Sequence, residues 1–317
     1  MKTRKNRIFR EGYPHHVYLK ALNGNILFYR TEDYVFFLTL VYVLAKRHGI
    51  GIEAVCIMFN HVHLFVRPVK RSAFAAFLRD LQCRFSFTYN KEYGHKGPLM
   101  MPSGYAPKTS RKSINSCLIY IFNNPVEGGM IKRAVEYKWN LLAYSTCDHP
   151  FSERLVKRDS RSRMRRVLEY VDYCFEKDTY LDYSLQNRIF NPLTPMEKKQ
   201  IIDYIVCKYN PVPKNILTSR FGSYENAVIA IDSTTGSEHD IIEAREDYSV
   251  YVLSSKSCLP YQELHLSTSV ASSILRLDNC LFHTLHIGAV FCNQQGINEF
   301  LYSPPLKTRE DYRVISD

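Results

Sequence analysis

The residues best suited to chemistry are two histidines, a tyrosine and an asparagine at two short spacings. In His61-Val62-His63 the imidazoles are two apart. In a strand such residues point to the same side, so both rings emerge on one face. Two neutral imidazoles on one face are half of a divalent-metal site. Taken alone, His-x-His more often marks a pair of partly exposed structural histidines. A second pair bears on the choice. Tyr120 and Asn124 lie four apart in INSCLIYIFNNPVEGG (114–129), hence on one face of a helix, where a phenol and a carboxamide can approach one metal together. The competing reading of Tyr120 is an aromatic on the core side of an Ile/Leu/Phe-rich helix. A phenol, with a reference pKa of about 10, is a poor nucleophile at pH 7 and needs a nearby cation and an in-line phosphate.

These four residues need elements to hold them. HHVYLKAL (15–22) has strand composition, Asn23-Gly24-Asn25 has turn chemistry, and ILFY (26–29) is a short apolar piece. Thr31 is suited to cap a helix over 32–48, where Tyr34, Phe37, Leu38, Val41, Leu44 and Ala45 recur at helical spacing before Gly49. Two β-rich runs follow, GIEAVCIMF (51–59) and VHLFVRPV (62–69), broken at Asn60, then a helix from Ser72 to about Tyr93. After a Gly/Pro-bearing loop (94–107), Ser110 or Ser113 caps another helix, expected to end near Asn124 because Pro125 follows. The order β-α-β-β-α-(loop)-α predicts an α+β fold, an antiparallel sheet with helices packed on one face.

Beyond this, ERLVKRDSRSRMRR (153–166) is a charge-dense boundary, followed by expected helices at 167–177 and 195–208 and a partly helical look over 267–295. Within the last, STSVASSILRLDNCLFHTLHIGAVF (267–291) resembles a helix-turn-helix, although two packed core helices would look the same. The expected organisation is a catalytic part over 1–150, a basic connecting helical segment over 151–190 and a mainly helical accessory domain over 191–317.

Composition narrows the function class. The chain of 317 residues, 45% hydrophobic and 23% charged, reads as a soluble globular protein of two domains. VFFLTLVYVLA (35–45) is too short for a bilayer span, and the basic start carries no secretory pattern, so a cytoplasmic protein with no membrane partner is expected. Nine scattered cysteines without Cys-x-x-Cys suggest neither a disulfide framework nor a zinc finger. Residues 1–166 hold 29 Lys and Arg against 11 Asp and Glu, a net +18, which leaves −7 for 167–317. That asymmetry favours a polyanion-binding first part, with a solvated charged surface as the alternative.

Several segments together resemble one family. MFNHVHLFV (58–66) is similar to the histidine strand, and YIFNNPVEGGM (120–130) to the tyrosine helix, of the single-tyrosine HUH transposases, particularly their REP-associated branch. YPHHVYLKALNGN (13–25), FLRDLQCRFSFTYNKEYGHKGPL (77–99) and EYKWNLLAYS (136–145) support it, so the resemblance runs over about 1–147. It implies a ferredoxin-like domain in which His61 and His63 bind Mg²⁺ or Mn²⁺, Asn124 matches a third, amide ligand, and Tyr120 attacks the scissile phosphate. Attack would give a 5′-phosphotyrosine and a free 3′-hydroxyl, conserving the phosphodiester energy, so no nucleotide cofactor is needed. The implied partner is single-stranded or hairpin DNA, and a homodimer is expected by analogy. The chain departs from the family pattern at LMMPSGYAP (99–107), which lacks the usual Trp-Gln-Gly wording, at the loose match of Phe122-Asn123, and in its long C-terminal extension.

DNA contacts are expected from Arg79, Arg84, Lys91, Lys96, Lys108 and Arg111, where basic and aromatic residues interleave, and from Arg161, Arg163 and Arg165. Phe85 and Tyr89 in the same stretch read better as the buried side of an amphipathic helix. The preferred function is metal-dependent cleavage and strand transfer of single-stranded DNA, as in transposition or REP-element processing. The alternative is a non-catalytic, regulatory nucleic-acid-binding protein derived from a transposase. A metal-dependent hydrolase using water would have no need of Tyr120.

Overall fold

A computed structural model describes residues 8–233 and two short paired strands, Val290–Cys292 and Asn298–Phe300. Four strands form one antiparallel sheet: β1 (His15–Lys20), β2 (Gly51–Ile57), β3 (His61–Arg67) and β4 (Gly104–Pro107), in the spatial order β2-β3-β1-β4. Helices α1 (Thr31–His48) and α2 (Arg71–Tyr93) connect β1 to β2 and β3 to β4, which is the ferredoxin-like arrangement; α3 (Arg111–Glu127) follows β4.

Register decides which side chains meet. His63 lies opposite Tyr18 and Cys56, and His61 opposite Lys20, so these share one face. The other face carries Val17, Leu19, Val62, Leu64 and Val66, all fully buried. Helices α1 and α2 cover this second face. Phe74 of α2 packs against His15 and Tyr105, with centroids 5.4 and 5.0 Å apart, and Phe85 of α2 meets Phe36 and Phe37 of α1. Helix α3 lies against β2 and β3 on the histidine face. The sheet therefore separates an apolar helical layer from a polar site.

Local details depart from expectation for identifiable reasons. Thr31 is the first residue of α1 and its start is capped by Asp33, whose Oδ2 accepts from the Tyr29 and Arg30 amides at 2.9 and 2.8 Å. Helix α3 does not end at Asn124 but runs through Pro125 to Glu127. A proline in the last turn removes only one helical hydrogen bond, and the Gly128 amide still reaches the Asn124 carbonyl at 2.9 Å. ILFY forms no strand; Leu27 and Phe28 instead donate to the Phe59 carbonyl. Strand β4 sits in what reads as a Gly/Pro loop. At Gly104 a Cβ would lie 1.9 Å from the Tyr18 ring, so the ring's close approach requires glycine there, and that glycine disguises the strand.

Past residue 150 the chain forms α4 (Ser162–Glu176), α5 (Tyr183–Phe190), α6 (Pro195–Lys208), α7 (Ile216–Phe221) and α8 (Tyr224–Ser233). These pack onto the sheet domain, with no gap in the core near residue 150 or 190. Phe36 of α1 packs on Tyr183, and Tyr42 packs on Phe175 and Tyr209. One apolar core runs from Val17 to Ile231. Of the expected accessory domain, residues 191–233 are helical in their described elements and 290–292 are strand, which takes in the end of the helix-turn-helix candidate; the rest of 267–295, including that candidate up to residue 289, lies outside the described residues. Among the described residues no helix is long and apolar enough to cross a membrane.

Candidate active site

The site is assembled from β1, β3 and α3. Strand β3 presents both imidazoles on one face, with ring centroids 4.9 Å apart. Asn60, in the tight turn before β3, places its Oδ1 2.7 Å from His61 Nδ1. On the far side of that ring, His61 Nε2 stands 3.0 Å from Asn124 Oδ1. In the tautomer in which Nδ1 donates to Asn60, Nε2 is left as a lone pair facing the carboxamide oxygen; in the other, Nε2 donates to that oxygen. Two acceptor atoms about 3 Å apart match adjacent corners of an octahedron around a small hard cation with bonds of about 2.1 Å.

His63 is fully buried, and its Nε2 makes no hydrogen bond. Burial first, and then the charges of His61, His16 and Lys20, hold its pKa well below the ordinary histidine value. The ring is therefore neutral at pH 7, the form in which imidazole ligates metals. A buried, unpartnered nitrogen beside a second imidazole and an amide oxygen is a donor set that fits Mg²⁺ or Mn²⁺. Among the described residues no cluster of three or more His, Cys, Asp or Glu is placed to hold a metal, so a site here needs the amide of Asn124.

The Tyr120 ring is half-buried and meets His63 and His16 edge-on, with centroids 5.3 and 5.7 Å away. It thus faces the histidine cluster, one turn before Asn124 on the same helix face. The helix is braced from behind by Asn140, whose Nδ2 donates to the Phe122 and Ala134 carbonyls at 3.0 and 2.7 Å. Residues His16 and Asn60 were not singled out as site residues from sequence. A second histidine strand, His15-His16, was the available signal for the first.

The basic residues distribute unevenly. Arg79, Arg84 and Lys91 are exposed on α2, in the helical layer on the far side of the sheet from His61 and His63. Lys96 is exposed in the loop before β4, and Arg111 is exposed at the start of α3. Lys108 is buried, contrary to its expected role in a DNA-facing surface, because its segment is pinned where its amide donates to the Pro14 carbonyl at 2.8 Å. Arg163 and Arg165 are exposed on α4, whereas Arg161 is bound through two nitrogens to the Glu197 carboxylate.

Residues 8–124 match the model of the family described as "Transposase IS200 like". This part of the chain is similar to IS200-like transposases. The match takes in β1 through most of α3 and includes His61, His63, Tyr120 and Asn124. A solved structure described as the REP-associated tyrosine transposase bound to a REP hairpin aligns with a TM-score of 0.40 and 16% identity, over 45% of this chain and 84% of that one. No curated protein sequence matches the chain. The later helices, α4 to α8, extend the core of the sheet domain beyond the matched residues.

Proposed function

We propose that the IS200-like transposase domain cleaves and rejoins single-stranded or hairpin DNA through a 5′-phosphotyrosine at Tyr120. The observation that carries this reading is the placement of the Tyr120 ring against His63, on the same face as the His61–Asn124 pair. His61, His63 and Asn124 would hold Mg²⁺ or Mn²⁺, which when bound polarises a phosphate oxygen and stabilises charge building on phosphorus. The Tyr120 oxygen forms the new bond to phosphorus as its proton is lost, while the bond to the 3′-oxygen breaks and that oxygen takes up a proton. The phosphodiester energy is kept in the tyrosyl ester, so rejoining needs no nucleotide cofactor. Arg111, at the start of α3, suits a contact to the strand backbone; Lys96, in the loop before β4, and Arg163 and Arg165 on α4 offer further basic positions.

The test is incubation with end-labelled hairpin DNA and Mn²⁺, followed by denaturing electrophoresis. A slow-migrating covalent adduct that vanishes in Tyr120→Phe supports the reading. Binding without any adduct, across hairpins of varied stem and flank, would instead support the regulatory DNA-binding alternative.

A further inference from the structure

We infer that His16 is a positioning residue that sets the tautomer of His63 and thereby readies its Nε2 as a ligand. His16 on β1 and His63 on β3 are diagonal neighbours on one sheet face, since His16 lies opposite Phe65 and His63 opposite Tyr18. Both are fully buried, and His16 Nε2 lies 2.9 Å from His63 Nδ1. Only one of these two nitrogens carries the shared proton. Were it on His16, a neutral His63 would carry its own proton on Nε2, which closes that nitrogen to a metal ion. With the proton on His63 Nδ1, the bond to His16 is kept and Nε2 becomes a bare lone pair.

The arrangement repeats at the neighbouring ring. Asn60 grips His61 at Nδ1 as His16 grips His63 at Nδ1, so each imidazole is held from behind and offers Nε2. Partners of this kind fix ring orientation, and their loss typically weakens metal binding by about 10–100-fold. His16 is itself clamped, stacked on His63 at 5.0 Å with the Tyr120 edge against both rings.

The inference rests on the metal-site reading of His61, His63 and Asn124, and two measurements separate them. Long-range ¹⁵N–¹H correlation spectra of the metal-free, full-length protein report the His63 tautomer directly. The expected result is the Nδ1–H form; an Nε2–H form would overturn the inference without any variant being made. Mn²⁺ affinity by calorimetry is then compared for wild type, His16→Gln and His16→Phe, with folding checked by circular dichroism. Glutamine offers an acceptor oxygen and should stay within a few-fold of wild type, while phenylalanine should lose about 10–100-fold. A folded His16→Phe that binds Mn²⁺ as wild type does would also overturn it. Failure of the metal reading looks different: Mn²⁺ binding is then absent from the wild type, or indifferent to His61→Ala, while the His63 tautomer is still Nδ1–H.

Discussion

The Tyr183 hydroxyl donates to Asp33 Oδ1 at 2.8 Å, across 150 positions of sequence. The same oxygen accepts from Tyr93 at 2.7 Å, while the other carboxylate oxygen caps α1. One fully buried carboxylate thus joins α1, α2 and α5, which ties the helices after residue 150 to the sheet domain. Cutting the chain after residue 150 removes Tyr183 and uncovers Phe36 and Tyr42. That fragment is expected to lack a cooperative melt, whereas residues 1–233 should melt in one transition. Tyr183→Phe should lower stability by about 1.5–3 kcal/mol, the range for a hydrogen bond to a charged group. A denaturant titration showing no change would remove this carboxylate from the tie.

Tyr120→Phe is expected to abolish the covalent DNA adduct while leaving thermal stability and DNA affinity nearly unchanged. The substitution deletes one oxygen and keeps the ring that packs on His63 and His16. Electrophoresis and fluorescence anisotropy on the same hairpin check the two halves; persistent adducts would point to another nucleophile.

Asn124→Leu should weaken Mn²⁺ binding by at least about 10-fold, because it removes an oxygen placed 3.0 Å from His61 Nε2. Asn124→Asp keeps an oxygen and adds charge, so it should bind Mn²⁺ at least as tightly as wild type. Equal affinity for Leu and Asn variants would exclude the amide from the ligand set.

How much of this was legible follows from particular residues. His61, His63, Tyr120 and Asn124 were readable because their spacings, two and four, translate directly into shared faces. His16 was not, since its role depends on pairing between β1 and β3, and register is invisible in a single strand. Strand β4 was hidden by Gly104, and the passage of α3 beyond Asn124 by a proline rule that weakens in a last turn. The charge change near residue 166 suggested a boundary, and the packing of α4 to α6 on α1 is a separate matter that charge does not reveal. Charge reports on surfaces, whereas the core is apolar.

Arg111 and Arg84 separate contact from mere charge. Arg111→Gln should weaken binding of single-stranded DNA and reduce the slope of log affinity against log salt by about 0.7, the value for one phosphate contact. Arg84→Gln, on the helical layer behind the sheet, should change neither. Equal effects would mean that DNA wraps both sides.

Glu197 gives the pH dependence. Its contact with Arg161 and the capping bonds from Thr194 hold its pKa down to about 2. A depressed carboxylate stabilises the fold above its unfolded value of about 4.3 and loses that contribution as pH falls toward 2. Arg161 is largely exposed, so the expected gain is modest, about 1 kcal/mol including the cap. Glu197→Gln should therefore melt lower than wild type at pH 7 and together with it near pH 2. A constant difference across that range would assign the effect to packing.

The division of the molecule by its sheet also has a practical use. Of the cysteines among the described residues, Cys83 alone is exposed, and it projects from α2 on the side away from the histidines and Tyr120. A maleimide dye at that thiol would sit behind the face that carries the histidines and Tyr120. DNA binding could then be followed by the fluorescence of a chain whose histidine face carries no label, and an immobilised molecule tethered there would keep that face toward solution.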